Sequence, residues 1–400
     1  MLDANATAQL KKYLELVSLP LELAASLDDS PASAKMRELL GEIAALSPLV
    51  SVVEESNPRT PSFAIRRVGT EIEVRFAGLP MGHEFSSLVL ALVQVGGHAP
   101  RLDEETAEAV RRLEGGEFVT YMSLTCQNCP TVVQALNTMS VLNPRIRHVA
   151  VEGGAFKDEV EALGIKVAPG IDHAALPADA HVQWVSVGGD VVEAGIWCGP
   201  LAVEGPGRSA LILPTGDGPH VPGAHPIART LRDPDCHDPS MPPVQLAPLT
   251  GVEDLGAYIH EPDGAVIRAG LVAHLAERLG ATPVGERIAY LSGDQLPDSD
   301  LAPFVRSWRV SEVLPLSLKS LKARVRERDI GRLDIHKRGV PVAPEIVRSA
   351  VRPSGEAHET WIMTRIGSPG EHGERARGVV VVAEPCQTAP LSTEPDVPVS

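Results

Sequence analysis

The sequence has few aromatic residues, few cysteines and no long apolar run. Aromatics make up 4% of the 400 residues and there are five cysteines, whereas 44% of residues are hydrophobic and 22% are charged. This balance excludes a disordered chain. No apolar stretch approaches the roughly 20 residues that span a bilayer, and the N-terminus lacks the basic-then-apolar order of a signal peptide. We therefore expect a cytoplasmic protein of two to three domains without membrane contact.

Two cysteines lie close together, in the segment Cys126-Gln127-Asn128-Cys129-Pro130. This segment follows a predicted strand and opens a predicted helix, where free N–H groups and the helix dipole favour a thiolate. The first cysteine is then expected to attack disulfides and the second to resolve the mixed disulfide. Two alternatives remain open. The pair could be half of a zinc site, completed by Cys236 and His237, or two inert core thiols.

The stretches around this motif resemble a known family. They are RFAGLPMGHEFSSLVLALVQVGGH and YMSLTCQNCPTVVQALNTMSVLNPRIRHVAVEGGAF. Residues 1–165 resemble the N-terminal domain of the flavoprotein subunit of bacterial alkyl hydroperoxide reductase. The resemblance implies two fused thioredoxin-like folds, at 1–100 without cysteines and at 101–165 with the redox pair. It also implies electron transfer from a flavin and pyridine-nucleotide module to a peroxiredoxin partner.

The resemblance assigns roles to three residues. Cys126 is the outward nucleophile, Cys129 the resolving cysteine, and Glu84 a carboxylate that faces the pair from the first fold. Such an acid can relay the proton of the resolving thiol. The alternative for Glu84 is a carboxylate that caps the N-terminus of a helix.

The sequence departs from this family after Ile165. The second thioredoxin-like fold is expected to be truncated, with Pro169 only imitating the proline that normally follows. No Gly-x-Gly-x-x-Gly fingerprint and no second Cys-x-x-Cys occur. We therefore expect no FAD or NADH site and no bound cofactor, only a redox-active disulfide, and no metal.

Residues 166–400 resemble a second family, the bacterial SAM-dependent methyltransferases that end in a THUMP-like domain. The resemblance lies in stretches such as WVSVGGDVVEAGIW, YIHEPDGAVIRAGLVAHLAERLG and VSEVLPLSLKSLKARVRERDIGRLDIHKRGV. It implies the last strands of a Rossmann-like sheet at 166–213 (near 167–171, 182–198 and 209–213) and a THUMP-like domain at 251–386. Composition separately predicts a Pro- and Gly-rich linker at 214–250 and a Pro-rich, disordered tail at 387–400. The glycine-rich cofactor loop is missing, so no SAM site is expected, and Gly188-Gly189 is predicted to be a hairpin turn.

One short stretch is basic. Residues 306–338 hold ten Lys and Arg against four Asp and Glu, in a chain with 36 basic and 52 acidic residues. THUMP-like modules imply RNA as a partner, and phosphate contacts are expected from this stretch. The candidate residues are Lys319, Lys322, Arg326, Arg328, Lys337 and Arg338. The alternative is an amphipathic helix with a solvated charged face. Trp308 is the one aromatic residue nearby for base stacking.

The two resemblances meet within a few residues of Lys166. The join cuts through a thioredoxin-like fold on one side and a nucleotide-binding sheet on the other, whereas functional fusions join at linkers. We infer that an internal deletion or an assembly error has joined two genes, and we expect an unpaired sheet edge on each side. The predicted fold class is α/β: tandem thioredoxin-like folds, the second truncated, then a partial Rossmann-like sheet and an α+β THUMP-like domain. The predicted function is a thiol-disulfide relay, and the alternative is an RNA-binding methyltransferase remnant.

Overall fold

The chain divides into two compact units in a computed structural model. Unit 1 is Met1–Leu163 and unit 2 is Gly164–Ser400. The structure describes residues 2–126, 129–165, 171–213, 228–367 and 378–386. None of the helices in these ranges combines the length and the apolar character needed to cross a membrane.

Unit 1 contains six helices and six strands within its described residues. The helices are α1 (Ala4–Leu14), α2 (Pro31–Leu46), α3 (Phe85–Val95), α4 (Glu104–Arg112), α5 (Cys129–Leu142) and α6 (Lys157–Ala162). The strands are β1 (Leu21–Ser26), β2 (Val50–Glu54), β3 (Ser62–Arg67), β4 (Glu73–Ala77), β5 (Gly116–Met122) and β6 (Ile146–Glu152). They form one sheet in the order β2-β1-β3-β4-β6-β5.

The helix α2 illustrates how the sequence produces these elements. The Ser30 side chain caps its first turn by accepting a hydrogen bond from the Ser33 N–H, and Pro31 occupies the first helical position. Both features start helices, because they suit backbone groups that lack a partner within the helix. Its apolar side chains recur at helical spacing on one face and are buried against the sheet: Met36, Leu39, Leu40 and Ile43.

The six-stranded sheet joins one whole fold to part of a second. In the first, β1 and β2 are parallel, β3 pairs antiparallel with both β1 and β4, and α3 closes the layer. This is the predicted thioredoxin-like fold. The second repeats the parallel strand-helix-strand unit as β5, α5 and β6, and its sheet joins the first through β4 and β6. A hairpin equivalent to β3 and β4 is not found among the described residues, and the truncation of the second fold stays a prediction.

The strand β5 lies at the edge of the sheet. Its counterpart β1 lies between β2 and β3 and is almost wholly buried, whereas β5 pairs only with β6 among the described residues. Val119 in the middle of β5 is 43% exposed. Such an edge offers unpaired backbone groups to other strands. The predicted unpaired edge is therefore present on the N-terminal side of the join.

Unit 2 contains four helices and two sheets within its described residues. The four-stranded sheet has the order β10-β9-β7-β8, from β7 (His181–Val187), β8 (Asp190–Trp197), β9 (Gly207–Leu213) and β10 (Arg229–Arg232). The helices are α7 (Gly264–Arg268), α8 (Val272–Leu279), α9 (Leu318–Glu327) and α10 (Pro344–Val351). Trp184 lies at the centre of the core beneath this sheet.

The second sheet of unit 2 has seven strands in the order β12-β13-β11-β14-β17-β16-β15. They are β11 (Tyr258–Pro262), β12 (Thr282–Gly285), β13 (Ile288–Gly293), β14 (Val305–Pro315), β15 (Ile330–Lys337), β16 (Ala357–Arg365) and β17 (Gly378–Pro385). Trp361 on β16 is fully buried, with α9 and α10 contributing to the same core. The mixed α/β class predicted from the sequence is confirmed.

Several local predictions need correction or lie outside the described residues. The segment predicted as a linker, 214–250, contains the strand β10, which extends the four-stranded sheet. The stretch from Ala265 to Gly280 forms two helices rather than one, because Gly270 has a φ of 68° and follows the end of the first. Gly188-Gly189 forms the expected turn between β7 and β8. Pro169, most of the strand predicted at 167–171 and the tail 387–400 are outside the described residues.

Candidate active site

The cysteine pair lies where β5 leads into α5. Cys126 and Cys129 form a disulfide with a Cα–Cα distance of 5.5 Å. Cys129 is the first residue of α5, and its backbone N–H donates to the Cys126 sulfur at 3.1 Å. Both side chains are half-buried. A helix amide directed at the first sulfur is the arrangement that stabilises a thiolate after reduction.

Residues of the first thioredoxin-like fold contact the segment that precedes Cys126. The His83 N–H donates to the Leu124 carbonyl oxygen at 3.3 Å, two residues before Cys126. Gly82 approaches the same oxygen so closely that a Cβ there would lie 2.7 Å from it. A side chain at position 82 would therefore push the two segments apart. The loop of residues 82–84 therefore packs against Leu124, in the segment that leads to the disulfide.

Glu84 follows directly in this loop and is fully buried. Neither of its carboxylate oxygens has a hydrogen-bond partner among the described residues, and its side chain does not cap α3. The capping alternative is therefore not the arrangement in the structure. Burial raises the pKa of Glu84, and the nearby Ser87 hydroxyl and His83 only partly offset that effect. A carboxyl group in this setting holds its proton more readily than an exposed one.

A buried histidine beneath α5 was not identified from the sequence. His148 on β6 is 2% exposed, and its Nδ1 is 2.6 Å from the Asn137 Oδ1 on α5, while Nε2 is 2.9 Å from the Thr120 hydroxyl on β5. Since Oδ1 can only accept, Nδ1 carries the proton. Burial lowers the pKa of His148 to about 3. The alternation of β6, which places position 148 on the inner face, is the sequence signal for this residue.

The other cysteines differ from the pair. Cys198 is exposed, Cys236 is buried and Cys386 is half-buried. Burial raises the pKa of the Cys198 thiol, and Asp179 raises it further. Burial also raises the pKa of the Cys386 thiol. A raised pKa leaves less thiolate at neutral pH and slows attack on disulfides.

The predicted RNA-binding residues separate into two groups. On α9 and its C-terminal cap, Lys319, Lys322, Arg326 and Arg328 are exposed, while Leu321 and Val325 pack into the core. Lys337 is exposed, but Arg338 is half-buried and its Nε donates to Glu261 at 2.9 Å.

Trp308, the aromatic residue expected to stack on a base, is 5% exposed. Its ring lies 5.0 Å from the His336 ring, measured between centroids. It does not present a face to a base. The basic surface of α9 is therefore a charged face without an aromatic platform, and RNA binding stays a prediction.

Comparison with known proteins separates the two halves of the chain. The N-terminal part is 57% identical over 173 residues to the alkyl hydroperoxide reductase protein AhpF of Pseudomonas aeruginosa and 51% identical over 174 residues to that of Escherichia coli. Each match covers 43% of this chain and 33% of the relative. The chain thus spans about a third of the length of the curated relatives it matches. The predicted resemblance of residues 1–165 is confirmed.

The C-terminal part matches a different family. The model of the THUMP domain-like family covers residues 305–384, which include β14 to β16, α9, α10 and all but the last residue of β17. The change from one resemblance to the other falls near the boundary between Leu163 and Gly164 that separates the two units. These findings support the inference that the chain is a chimera.

Solved structures give weaker similarities. The N-terminal domain of Enterococcus faecalis alkyl hydroperoxide reductase AhpF has a TM-score of 0.39 at 23% identity, covering 42% of this chain and 87% of that one. A putative methyltransferase from Porphyromonas gingivalis has a TM-score of 0.41 at 13% identity, covering 71% and 74%. Similarities of this strength do not assign a fold, which the strand order of each unit describes directly.

Proposed function

We propose that unit 1 is a thiol-disulfide relay that passes two electrons from the Cys126–Cys129 pair to the disulfide of a peroxiredoxin. The observation that carries this proposal is the position of the pair, with the first sulfur facing the N–H of the residue that begins α5. The identity to alkyl hydroperoxide reductase AhpF supports the peroxiredoxin as partner.

The exchange proceeds in two balanced steps once an external dithiol has reduced the pair. The Cys126 thiolate attacks one sulfur of the partner disulfide, that S–S bond breaks, and the departing sulfur takes up a proton. The Cys129 thiol then loses its proton and attacks the Cys126 sulfur. The intermolecular bond breaks, the partner leaves as a dithiol, and the internal disulfide of this protein is restored.

Glu84 is proposed to take the proton that Cys129 releases. Its burial, its raised pKa and its lack of a described hydrogen-bond partner fit a group that exchanges a proton rather than one that stabilises a helix. The contact between the loop of residues 82–84 and Leu124 keeps it beside the segment that carries Cys126. Glu84→Gln is expected to slow the second step about a hundredfold and to flatten its pH dependence, the lower end of the usual effect of removing an acid-base group.

The relay is tested with the full chain, reduced by dithiothreitol and separated from it. We expect disulfide reduction in a 2-Cys peroxiredoxin, measured as free thiols released over time. Cys126→Ser should abolish the reaction. Cys129→Ser should instead accumulate a mixed disulfide through Cys126, visible by mass spectrometry. Cys198→Ser is the matched control, because Cys198 is exposed but has a raised pKa, and it should react like the parent protein.

The outcomes separate the relay from its alternatives. If Cys126→Ser retains the rate of the parent protein, the pair is not the electron donor. If the reduced protein reduces insulin but not the peroxiredoxin, the relay stands and the partner is wrong. Circular dichroism of each variant shows whether a lost reaction reflects a lost fold.

A further inference from the structure

A cavity in unit 2 is lined by charged residues that have no role in the proposed relay. It has a volume of about 450 Å³ and lies where β7 and β9 end, beside the start of β14. Apolar side chains form much of its wall, from Ile212, Leu213, Pro262, Pro303 and Val305. Three arginines and two acids also line it: Arg229, Arg306, Arg338, Glu261 and Asp263. Its volume is within the range of pockets that hold small molecules.

Both acids of the cavity already have partners. Glu261 accepts from the Nε of Arg338 at 2.9 Å. One oxygen of Asp263 accepts from the Ser186 hydroxyl at 3.0 Å, and the other accepts from the Ala265 N–H at 2.8 Å. These carboxylates are therefore engaged in holding β7, β11 and α7 in place. Glu261 is paired with Arg338, whereas Asp263 accepts only from uncharged donors and keeps its negative charge.

Arg229 and Arg306 have no carboxylate partner among the described residues. The Nε of Arg229 is buried and has no hydrogen-bond acceptor in the part of the chain that the structure describes. The Arg306 guanidinium lies against the turn between β7 and β8, where a Cβ added to Gly189 would be 2.6 Å from its terminal nitrogen. No described carboxylate lies within ion-pairing distance of Arg306. A buried N–H donor without an acceptor is unfavourable, and a bound oxyanion would supply the missing acceptor.

We propose that this cavity binds a phosphate-bearing ligand, with Arg229 and Arg306 as its anion-binding residues. Guanidinium groups present forked N–H donors that match the oxygens of a tetrahedral phosphate, and the cavity has one more arginine than it has acids. The volume exceeds that of inorganic phosphate and accommodates a mononucleotide, whose remaining atoms would contact the apolar wall. The phosphate can belong to a free small molecule or to the backbone of an RNA.

The test is isothermal titration calorimetry of the full chain in phosphate-free buffer. The probes are inorganic phosphate, adenosine monophosphate and a short single-stranded RNA. We expect adenosine monophosphate or the RNA to bind more tightly than inorganic phosphate, and the stronger of the two identifies the source of the phosphate. Arg306→Ala is expected to weaken that binding at least tenfold, as is Arg229→Ala. Arg306→Lys should also weaken it, because an ammonium lacks the forked donors.

Arg332→Ala is the matched control. Arg332 lies on β15 with a side chain that is 74% exposed, and it is not among the cavity residues. The Arg332→Ala substitution removes one positive charge, as Arg306→Ala does, and should leave ligand binding unchanged. Arg306 is exposed, so its removal does not threaten the core, and tryptophan fluorescence verifies the fold of each variant. Equal weakening by Arg332→Ala would show nonspecific charge attraction and overturn the site. Absence of binding by all three probes at millimolar concentration would also overturn it.

Discussion

The buried His148 predicts that unit 1 loses stability in mild acid. In the folded protein its pKa is about 3, against an ordinary value of 6.5, because burial disfavours the charged ring. The unfolded chain therefore binds a proton below pH 6.5 that the folded chain does not. The contribution of the neutral, buried His148 to the free energy of unfolding is complete above pH 6.5. It is lost as the pH falls from 6.5 towards 3.

The size of the effect follows from these two values. Each pH unit between them costs about 1.4 kcal/mol, so between pH 7 and pH 5 the free energy of unfolding should fall by about 2 kcal/mol. Other groups titrate in the same range, and Glu84 acts in the opposite direction because its folded pKa is raised. Comparison with His148→Gln isolates the histidine. This variant lacks the titrating ring and should cost about 1–2 kcal/mol at pH 7 through its imperfect hydrogen bonds.

The assay must report on unit 1 alone. All four tryptophans lie in unit 2, so their fluorescence does not follow the unfolding of unit 1. We therefore suggest urea titrations at pH 7 and pH 5 with low micromolar protein, followed by a deuterium pulse at one common pH and mass spectrometry of peptides from β6. Between pH 7 and pH 5, the free energy of unfolding of the parent protein should fall by about 2 kcal/mol more than that of His148→Gln. Equal losses would refute the assignment of a neutral, buried histidine.

Three further predictions concern packing and the sheet edge. Arg75→Met should lower the stability of unit 1 by about 2 kcal/mol in the same assay, because Glu55 and Glu73 lose their buried partner and keep only the more exposed Arg66; a loss below about 0.5 kcal/mol would contradict this. Val119→Lys should reduce self-association in sedimentation velocity, because a charge blocks pairing along the β5 edge; an unchanged oligomer fraction would exclude that edge as the contact. Gly331→Ala should destabilise unit 2 by about 3 kcal/mol by tryptophan fluorescence, because its Cβ would lie 1.6 Å from the Gly355 carbonyl oxygen; a parent-like transition would show that the backbone relaxes.

The unit boundary and the β5 edge bear on the origin of the chain. The two resemblances meet within a few residues of the point where the structure separates its compact units. Among the described residues, the second thioredoxin-like fold ends after α6. Its strand β5 therefore lies at the edge of the sheet and is partly exposed, whereas the equivalent strand β1 of the first fold lies inside the sheet. A natural linker fusion would not produce this edge. The physical symptom expected of the chimera is association through β5.

The sequence alone determined the features that depend on local pattern. The cysteine spacing, with a strand before it and an apolar helix after it, placed the disulfide at the start of α5. Alternation and turn residues placed the β7–β8 hairpin at Gly188-Gly189, because a two-residue turn needs positive φ at both positions. Long stretches of family resemblance located the two halves.

Only the tertiary structure decided which side chains meet across elements. The burial of the Glu84 carboxylate and the hydrogen bonds of His148 to two other elements depend on contacts between residues far apart in sequence. The same is true of the Arg229 Nε, which is buried without an acceptor among the described residues. The same holds for Arg338, which the sequence grouped with the basic helix and the fold places beside Glu261. Spacing along a chain fixes the face of an element that a residue occupies, whereas burial and pairing depend on what packs against that face.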